Sequence, residues 1–322
     1  MKVLFLGTGP FAVPSLKAIH ESEHELLGLV TRPAPANLRR KQKPPANPMR
    51  EAAEALELPV WDPGNINAAE GIEVLKASGA ELLVVCDYGQ ILSPEALGTT
   101  SLGGINLHGS LLPKYRGAAP VHWAIYHGDA ETGVSVIHMT PRLDGGPILE
   151  RVVVPIEPTE TQPELEERLS EKGIAAVLSA IQQLEAWDRE TVIGELQDGS
   201  QVSQAPRLTK EQGQVNWQQS AEQIRNQVRA FQPWPGSYTW LRQPNHAPLR
   251  LVIGQAQTIS PVEASELSPG QVRVDESQRL WVKTSDGCLE ILQLQPAGKR
   301  MMVTADFLRG YAPGMDATMG EG

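Results

Sequence analysis

The strongest constraint on this chain is its opening. Residues 2–7, KVLFLG, form a short apolar run that stops at Gly7, Gly9 and Pro10. An apolar helical period follows from Phe11 to His20, and a second apolar run, ELLGLVT, covers 25–31. Two buried strands joined through a helix must lie parallel with a right-handed crossover. The alternation continues. Helical periods fall at 49–57, 68–78, 119–127 and 163–187, and strand-like runs near 59–61 and at 81–86, 103–109, 133–139 and 149–154. This predicts an α/β domain over residues 1–190 with an open, mostly parallel sheet. A polar connector, 191–206, comes next. Residues 207–322 then change character: one helix over 219–231, followed by short strands (LRLVIGQAQ, GQVRV, RLWVKTSDGCLEILQLQ) split by turns. Asp286-Gly287 marks a hairpin turn, and the segment is expected to form a small β-barrel domain. The last residues, 312–322, show no pattern.

A length of 322 residues suits two cores better than one. No apolar run approaches the roughly 20 residues of a membrane helix. The N-terminal apolar stretch is shorter than the about 7–15 residues of a secretory signal. Cys86 and Cys288 are the two cysteines, far apart and without metal-ligand spacing, which fits a reducing compartment. A cytoplasmic protein that binds neither membrane nor metal is expected. The formal net charge of -10 argues against a polyanionic partner, but the charge is uneven. Residues 207–322 carry 12 basic against 11 acidic side chains. Between Arg32 and Arg50 stand Arg39, Arg40, Lys41 and Lys43, with no acid. The enclosing segment 33–48 holds five prolines and no periodicity, so it reads as a long exposed loop. A local basic patch on an acidic body still attracts a polyanion.

The chemistry concentrates in INLHGSLLPKYRGAAP, 105–120. Alternate side chains of a strand share a face. With Ile105 and Leu107 turned into packing, Asn106 and His108 point together the other way, about 6.8 Å apart at the strand rise. They sit where a strand meets its loop, the end of an α/β sheet at which ligands bind. A lone His there would read as a solvated strand end, but Gly109, Pro113 and Gly117 follow at once and shape a loop. In GVSVIHMTPRLDGGPI, 133–148, Asp144 follows another strand and precedes Gly145-Gly146. An Asp before glycines is an ordinary turn residue. If it reaches His108, its carboxylate favours the charged imidazole and orients the ring.

The run INLHGSLLPKYRG, with Asp144-Gly145-Gly146 downstream, resembles the folate-dependent formyltransferase superfamily. The opening FLGTGPFAVPSLKAI, the segment DYG at 87–89, GAAPVHWAIYHGDAETGVS at 117–135 and QLQPAGKRMM in the second domain resemble its methionyl-tRNA formyltransferase branch. The likeness runs through nearly the whole chain. It implies a Rossmann-like catalytic domain, an OB-like second domain that holds tRNA, and a monomer. It implies transfer of the formyl group of 10-formyltetrahydrofolate to the α-amine of initiator methionyl-tRNA, with no metal. Asn106 would hydrogen-bond the formyl oxygen as charge develops there, His108 would handle protons and Asp144 would tune and orient it. Ser110, Leu111, Leu112 and Pro113 would form the folate contact segment. Arg39, Arg40, Lys41 and Lys43 would meet tRNA phosphates, with Arg207, Lys210, Arg225 and Arg229 as further candidates. Trp217, Phe231, Trp234, Tyr238 and Trp240 read better as the seed of a small core than as base-stacking platforms. The chain departs from the pattern at Asp87, where a small residue is usual, and at Asp144-Gly145-Gly146-Pro147, where Asp-Thr-Gly-Asp is usual. Its basic loop is rich in Pro and Ala instead of Gly.

Other readings stay open on the sequence. Amino-sugar-nucleotide formyltransferases share the Asn-His-Asp set, and a hydrolase relative would pass formyl to water. Gly7-Thr8-Gly9-Pro10-Phe11-Ala12 matches the dinucleotide pattern G-x-G-x-x-G/A, with Arg32 placed for a 2′-phosphate of an NADP-dependent oxidoreductase. A non-enzymatic RNA-binding protein would need none of Asn106, His108 and Asp144.

Overall fold

The computed structural model describes residues 1–34, 46–261 and 266–321. The basic cluster Arg39, Arg40, Lys41 and Lys43 lies outside the described residues. The chain divides into two compact units. The first comprises Met1–Pro120, Glu131–Pro155 and Leu165–Pro206; the second comprises Val121–Ala130, Ile156–Glu164 and Arg207–Gly322.

The elements up to residue 206 are, in order, β1 (Lys2–Gly7), α1 (Val13–His20), β2 (Glu25–Val30), α2 (Pro48–Ala55), β3 (Val60–Trp61), α3 (Ala69–Ser78), β4 (Leu82–Cys86), α4 (Pro94–Leu97), β5 (Gly104–His108), β6 (Arg116–Gly117), α5 (Pro120–His127), β7 (Glu131–His138), β8 (Ile148–Pro155), α6 (Gln162–Glu185) and β9 (Gln204–Ala205). Most of α5 belongs to the second unit. The main sheet runs β3-β2-β1-β4-β5-β7-β8. The first five of these strands are mutually parallel, while β7 and β8 add in antiparallel fashion. The expected open, mostly parallel sheet is therefore present. Its central strands are apolar throughout because both faces are covered: every residue of β4 is buried. Leu4, Leu6, Leu83 and Val85 join Ile72 and Leu75 of α3 in one core.

Local chemistry sets the helix starts. The Asn47 side chain accepts the Arg50 amide at 2.9 Å, and Pro48 occupies the first turn of α2. Gly173 in α6 leaves room for Leu107: a Cβ there would lie 2.7 Å from its Cδ2. Leu107 thus packs toward α6, and alternation sends Asn106 and His108 to the other face of β5. The stretch 191–206, which reads in sequence as a connector, belongs to the first unit. There β9 pairs in parallel with β6.

The second unit holds α7 (Ala221–Ala230), β10 (Ser237–Arg242), β11 (Leu249–Ile259), β12 (Val272–Val274), β13 (Leu280–Lys283), β14 (Cys288–Pro296), β15 (Met302–Val303), α8 (Thr304–Gly310) and β16 (Thr318–Gly320). Its antiparallel strands follow the order β12-β13-β14-β11-β10-β16, with β15 on β14. A bridge between Gln271 and Thr318 draws the two ends together, so the sheet is a nearly closed barrel. A capping box starts α7: Ser220 Oγ accepts the Gln223 amide, and Gln223 Oε1 accepts the Ser220 amide. Ile224 and Val228 of α7 enter the barrel core with Leu294 and Phe307. Trp217, Phe231 and Tyr238 are buried, as a core seed requires, whereas Trp234 is 52% exposed. Arg229 is buried as well, donating to the carbonyls of Glu157 and Glu160 and to Asn226 Oδ1. That commits it to structure and removes it from the phosphate candidates.

Gly133 marks the tightest strand crossing of the first unit. A Cβ at this position would stand 2.0 Å from the Val152 carbonyl oxygen. Gly133→Ala is expected to lower stability by about 1–3 kcal/mol through forced strand separation, measured as a reduced urea midpoint with an unchanged m-value.

Candidate active site

Asn106 and His108 stand at the carboxyl end of β5. The Asn106 side chain is half-buried, and its carboxamide makes no hydrogen bond among the described residues. His108 is buried, and its Nε2 lies 2.9 Å from the Tyr115 carbonyl. A carbonyl only accepts, so Nε2 carries a proton and donates. Nδ1 then faces Asp144, whose Oδ2 lies 3.9 Å away. This is too long for a direct hydrogen bond, and it sets the carboxylate against the Nδ1 edge of the ring. The structure thus brings together all three residues expected to carry the chemistry.

Asp144 is held by groups that its own sequence context does not suggest. Its Oδ2 accepts the Gly117 amide at 2.8 Å. Gln197 Nε2 donates to the Asp144 and Gly146 carbonyls at 2.8 and 2.7 Å, while Gln197 Oε1 accepts from Arg116 at 2.6 Å. Gly146 is packed so tightly that a Cβ would lie 1.8 Å from the His138 carbonyl oxygen. Asp144 itself adopts φ 47°, a left-handed conformation that Asp tolerates better than most side chains. Tyr115 and Asp87 on neighbouring loops share it, with φ 61° and 47°. Such conformations persist where surrounding contacts over-determine the backbone.

The segment Ser110–Pro113 is bound from below. Ser135, opposite His108 in β7, donates to the Ser110 carbonyl at 2.7 Å and accepts the Leu112 amide at 3.1 Å. Arg151 donates to the Leu112 carbonyl at 3.2 Å. Ser110 is fully buried with its hydroxyl given to the Lys114 carbonyl, and Leu112 packs on Ile137 and Ile148. Leu111 and Pro113 remain partly exposed, so contact with a ligand falls to these two and the segment's backbone. Tyr115 and Arg116 are tied through their amides to Ser203 at 2.9 Å each.

Asp87 leaves β4 at the same rim. Its carboxylate lies over the glycine-rich turn, with Oδ2 1.6 Å from where a Cβ of Gly9 would be. The residue is open to solvent yet crowded on its other sides. Burial by that crowding, and secondarily the charge of Glu166, push its carboxyl up to about 6. In a dinucleotide fold the space above this turn receives a pyrophosphate. Here a carboxylate fills it, which argues against the oxidoreductase alternative.

The first unit is thus an α/β sheet with a carboxamide, an imidazole and a carboxylate at its carboxyl rim, and the second is a nearly closed barrel. Residues 1–181 match the formyl transferase model and residues 207–312 match the formyl transferase C-terminal domain model. The chain belongs to the formyl transferase family. It is 47% identical over 320 residues to methionyl-tRNA formyltransferase of Rhodopirellula baltica, covering 97% of this chain and 94% of that protein. It is 38% identical to methionyl-tRNA formyltransferase of Solibacter usitatus, covering 100% and 99%. Among solved structures it resembles WlaRD, a sugar 3N-formyl transferase crystallised in the presence of dTDP and 5-N-formyl-THF. That match has a TM-score of 0.63 and 18% identity, over 93% of this chain and 99% of that one. It also resembles HypX from Aquifex aeolicus in complex with tetrahydrofolic acid, with a TM-score of 0.58 and 17% identity, over 96% of this chain and 47% of that one.

The raised carboxyl of Asp87 has a consequence for stability. The folded state binds its proton more tightly than the unfolded chain, so stability from this group is present at low pH and is lost as pH rises toward and through about 6. Asp87→Asn is therefore expected to raise the melting temperature at pH 8 and leave it nearly unchanged at pH 4, read by calorimetry at both values.

Proposed function

We propose that this chain transfers the formyl group of 10-formyltetrahydrofolate to the α-amine of methionyl-tRNA, the initiator form, and does so in the cytoplasm as a monomer. The observation that carries the acceptor is the extent of the likeness: identity of 47% to a methionyl-tRNA formyltransferase spans 97% of the chain, both units included. A sugar nucleotide acceptor has no comparable support, because the likeness to the sugar formyltransferase stands at 18%.

The residues fit a folate formyl donor. The Asn106 carboxamide is uncommitted, so its N–H is available where negative charge builds on a formyl oxygen. One such donor is worth about 10²–10³ in rate. Leu111 and Pro113 offer apolar surface beside buried, hydrogen-bonded backbone, the mix that binds a flat heterocycle. When bound, the folate supplies an activated formyl group on nitrogen. The protein's task is then to hold that carbonyl, position an amine and move protons. With Nε2 already donating to Tyr115, His108 has Nδ1 free to take a proton. The carbonyl on one side and the Asp144 carboxylate on the other hold the resulting imidazolium. Neither a covalent enzyme intermediate nor a metal is required by these roles. Arg39, Arg40, Lys41 and Lys43 supply the concentrated positive charge that tRNA phosphates need, since the chain as a whole carries -10.

The deciding assay supplies labelled formyl-folate with charged initiator tRNA or with an amino-sugar nucleotide. Label moving to the tRNA supports the reading, and label moving only to the sugar rejects it. Asn106→Ala is expected to lower kcat by about 10²–10³, and His108→Ala and Asp144→Ala by about 10²–10⁴. Affinity for tRNA should stay within about twofold in all three. Replacing Arg39, Arg40, Lys41 and Lys43 together by Ala should weaken tRNA binding and flatten the plot of log K against log salt by roughly 3–4 units, at about 0.7–0.9 per phosphate contact.

A further inference from the structure

Asp87 occupies the rim between the glycine-rich turn and the catalytic strand, and neither structural pairing nor the roles above use its carboxylate. In the sheet, β4 lies between β1 and β5, with Gly7 opposite Cys86 and Val85 opposite Asn106. Two residues beyond Val85, Asp87 therefore emerges on the edge that carries Asn106 and His108, with its Cα on the order of 8 Å from that of Asn106 by strand spacing and rise. It makes no ion pair among the described residues. The charge that acts on it most is the like charge of Glu166. An acid that is solvent-accessible, crowded and without a cation offers a place for one.

The acceptor brings such a cation. An α-amine with a pKa near ~7.7–8.0 arrives largely as ammonium at neutral pH, and it must lose a proton before it attacks. We propose that Asp87 receives the ammonium of the incoming aminoacyl group and takes its first proton. This rests on the methionyl-tRNA reading. The N–H bond breaks with its electron pair left on nitrogen, and the proton passes to the Asp87 carboxylate. The neutral nitrogen then bonds to the formyl carbon. Its second proton leaves through His108 to the departing nitrogen of the carrier, and Asp87 returns its own to solvent. A carboxyl held near 6 suits this exchange better than one at the ordinary value, because its proton affinity lies closer to that of the amine. The groups that face Asp87 are Glu166 from α6 and the buried Cys86 thiol from β4. The Gly9 turn adds no titrating side chain, and Arg32 acts on the adjacent Tyr88. A small side chain at position 87 would leave the amine's proton to water, so the device is a property of this chain more than of the family it belongs to.

The test compares wild type with Asp87→Asn, which keeps the shape over Gly9 and removes the base. kcat/KM for methionyl-tRNA is measured from pH 5 to 8, with KM for the formyl donor alongside. The expected result is a roughly 10²-fold loss at pH 7, an acid limb shallower by one unit of slope, and an unchanged donor KM. Asp87→Asn within twofold of wild type, or with the same acid limb, overturns the proposal. If the variant does not fold, wild type decides. Its preference for methionyl-tRNA over deacylated tRNA should vanish as pH falls below about 6, and a preference constant from pH 5 to 7 overturns the proposal. Failure of wild type to formylate methionyl-tRNA at all would instead reject the acceptor reading on which it rests.

Discussion

Asp144 Oδ2 accepts the backbone amide of Gly117 at 2.8 Å, and the geometry of the site hangs on that bond. It joins the loop after β7 to β6, just beyond the loop that leaves β5. Without it the carboxylate is an ordinary turn Asp, and the imidazole of His108 faces open space. A backbone donor suits the purpose because it has no rotamers of its own, so little entropy is lost in fixing the carboxylate. Gln197 completes the arrangement: its Nε2 donates to the Asp144 and Gly146 carbonyls, and its Oε1 accepts from Arg116. The carboxylate is thus placed by the Gly117 amide together with contacts made to its own loop's backbone.

This construction explains why three non-glycine residues at the rim, Asp87, Tyr115 and Asp144, hold left-handed backbones. Each costs something relative to an extended or helical residue. Each is retained where hydrogen bonds arrive from separate parts of the chain: Thr8 on the Asp87 carbonyl, Ser203 on the Tyr115 amide, Gln197 on the Asp144 carbonyl. Rigid positioning of this kind suits a site where charge develops, since a barrier falls when dipoles are already in place.

The second unit follows a different logic. Two long strands, β11 and β14, form its centre, and its closure depends on the bridge between Gln271 and Thr318; the core around Leu294 and Phe307 and the capped helix α7 support it. Of the aromatic residues that gather near its start, Trp217 serves that core, donating to Thr239 from a buried position. Arg229 shows how a basic side chain misleads when read alone: its charge is spent on two carbonyls and an amide oxygen inside the unit.

The periodicities determined the architecture, because burial on both faces demands continuous apolar runs and burial on one face demands alternation. The extents of β1, β4, β5 and α6 are readable within a residue or two, and so is the pairing of Asn106 with His108 on one face, which follows from a period of two. Asp144 is visible as a residue of the right type in a recognisable pattern. Its approach to His108 is decided only by the antiparallel addition of β7 beside β5, a non-local choice that no local spacing encodes. Gln197, Ser203 and Ser135 are illegible for the same reason. Their side chains look like those of any polar connector or strand, and their role comes from where the folded backbone leaves unpaired carbonyls and amides. The setting of Asp87 is likewise tertiary: whether a carboxyl at a strand end stands in water or against Gly9 and Glu166 depends on how three distant segments pack, and its proton affinity follows from that packing.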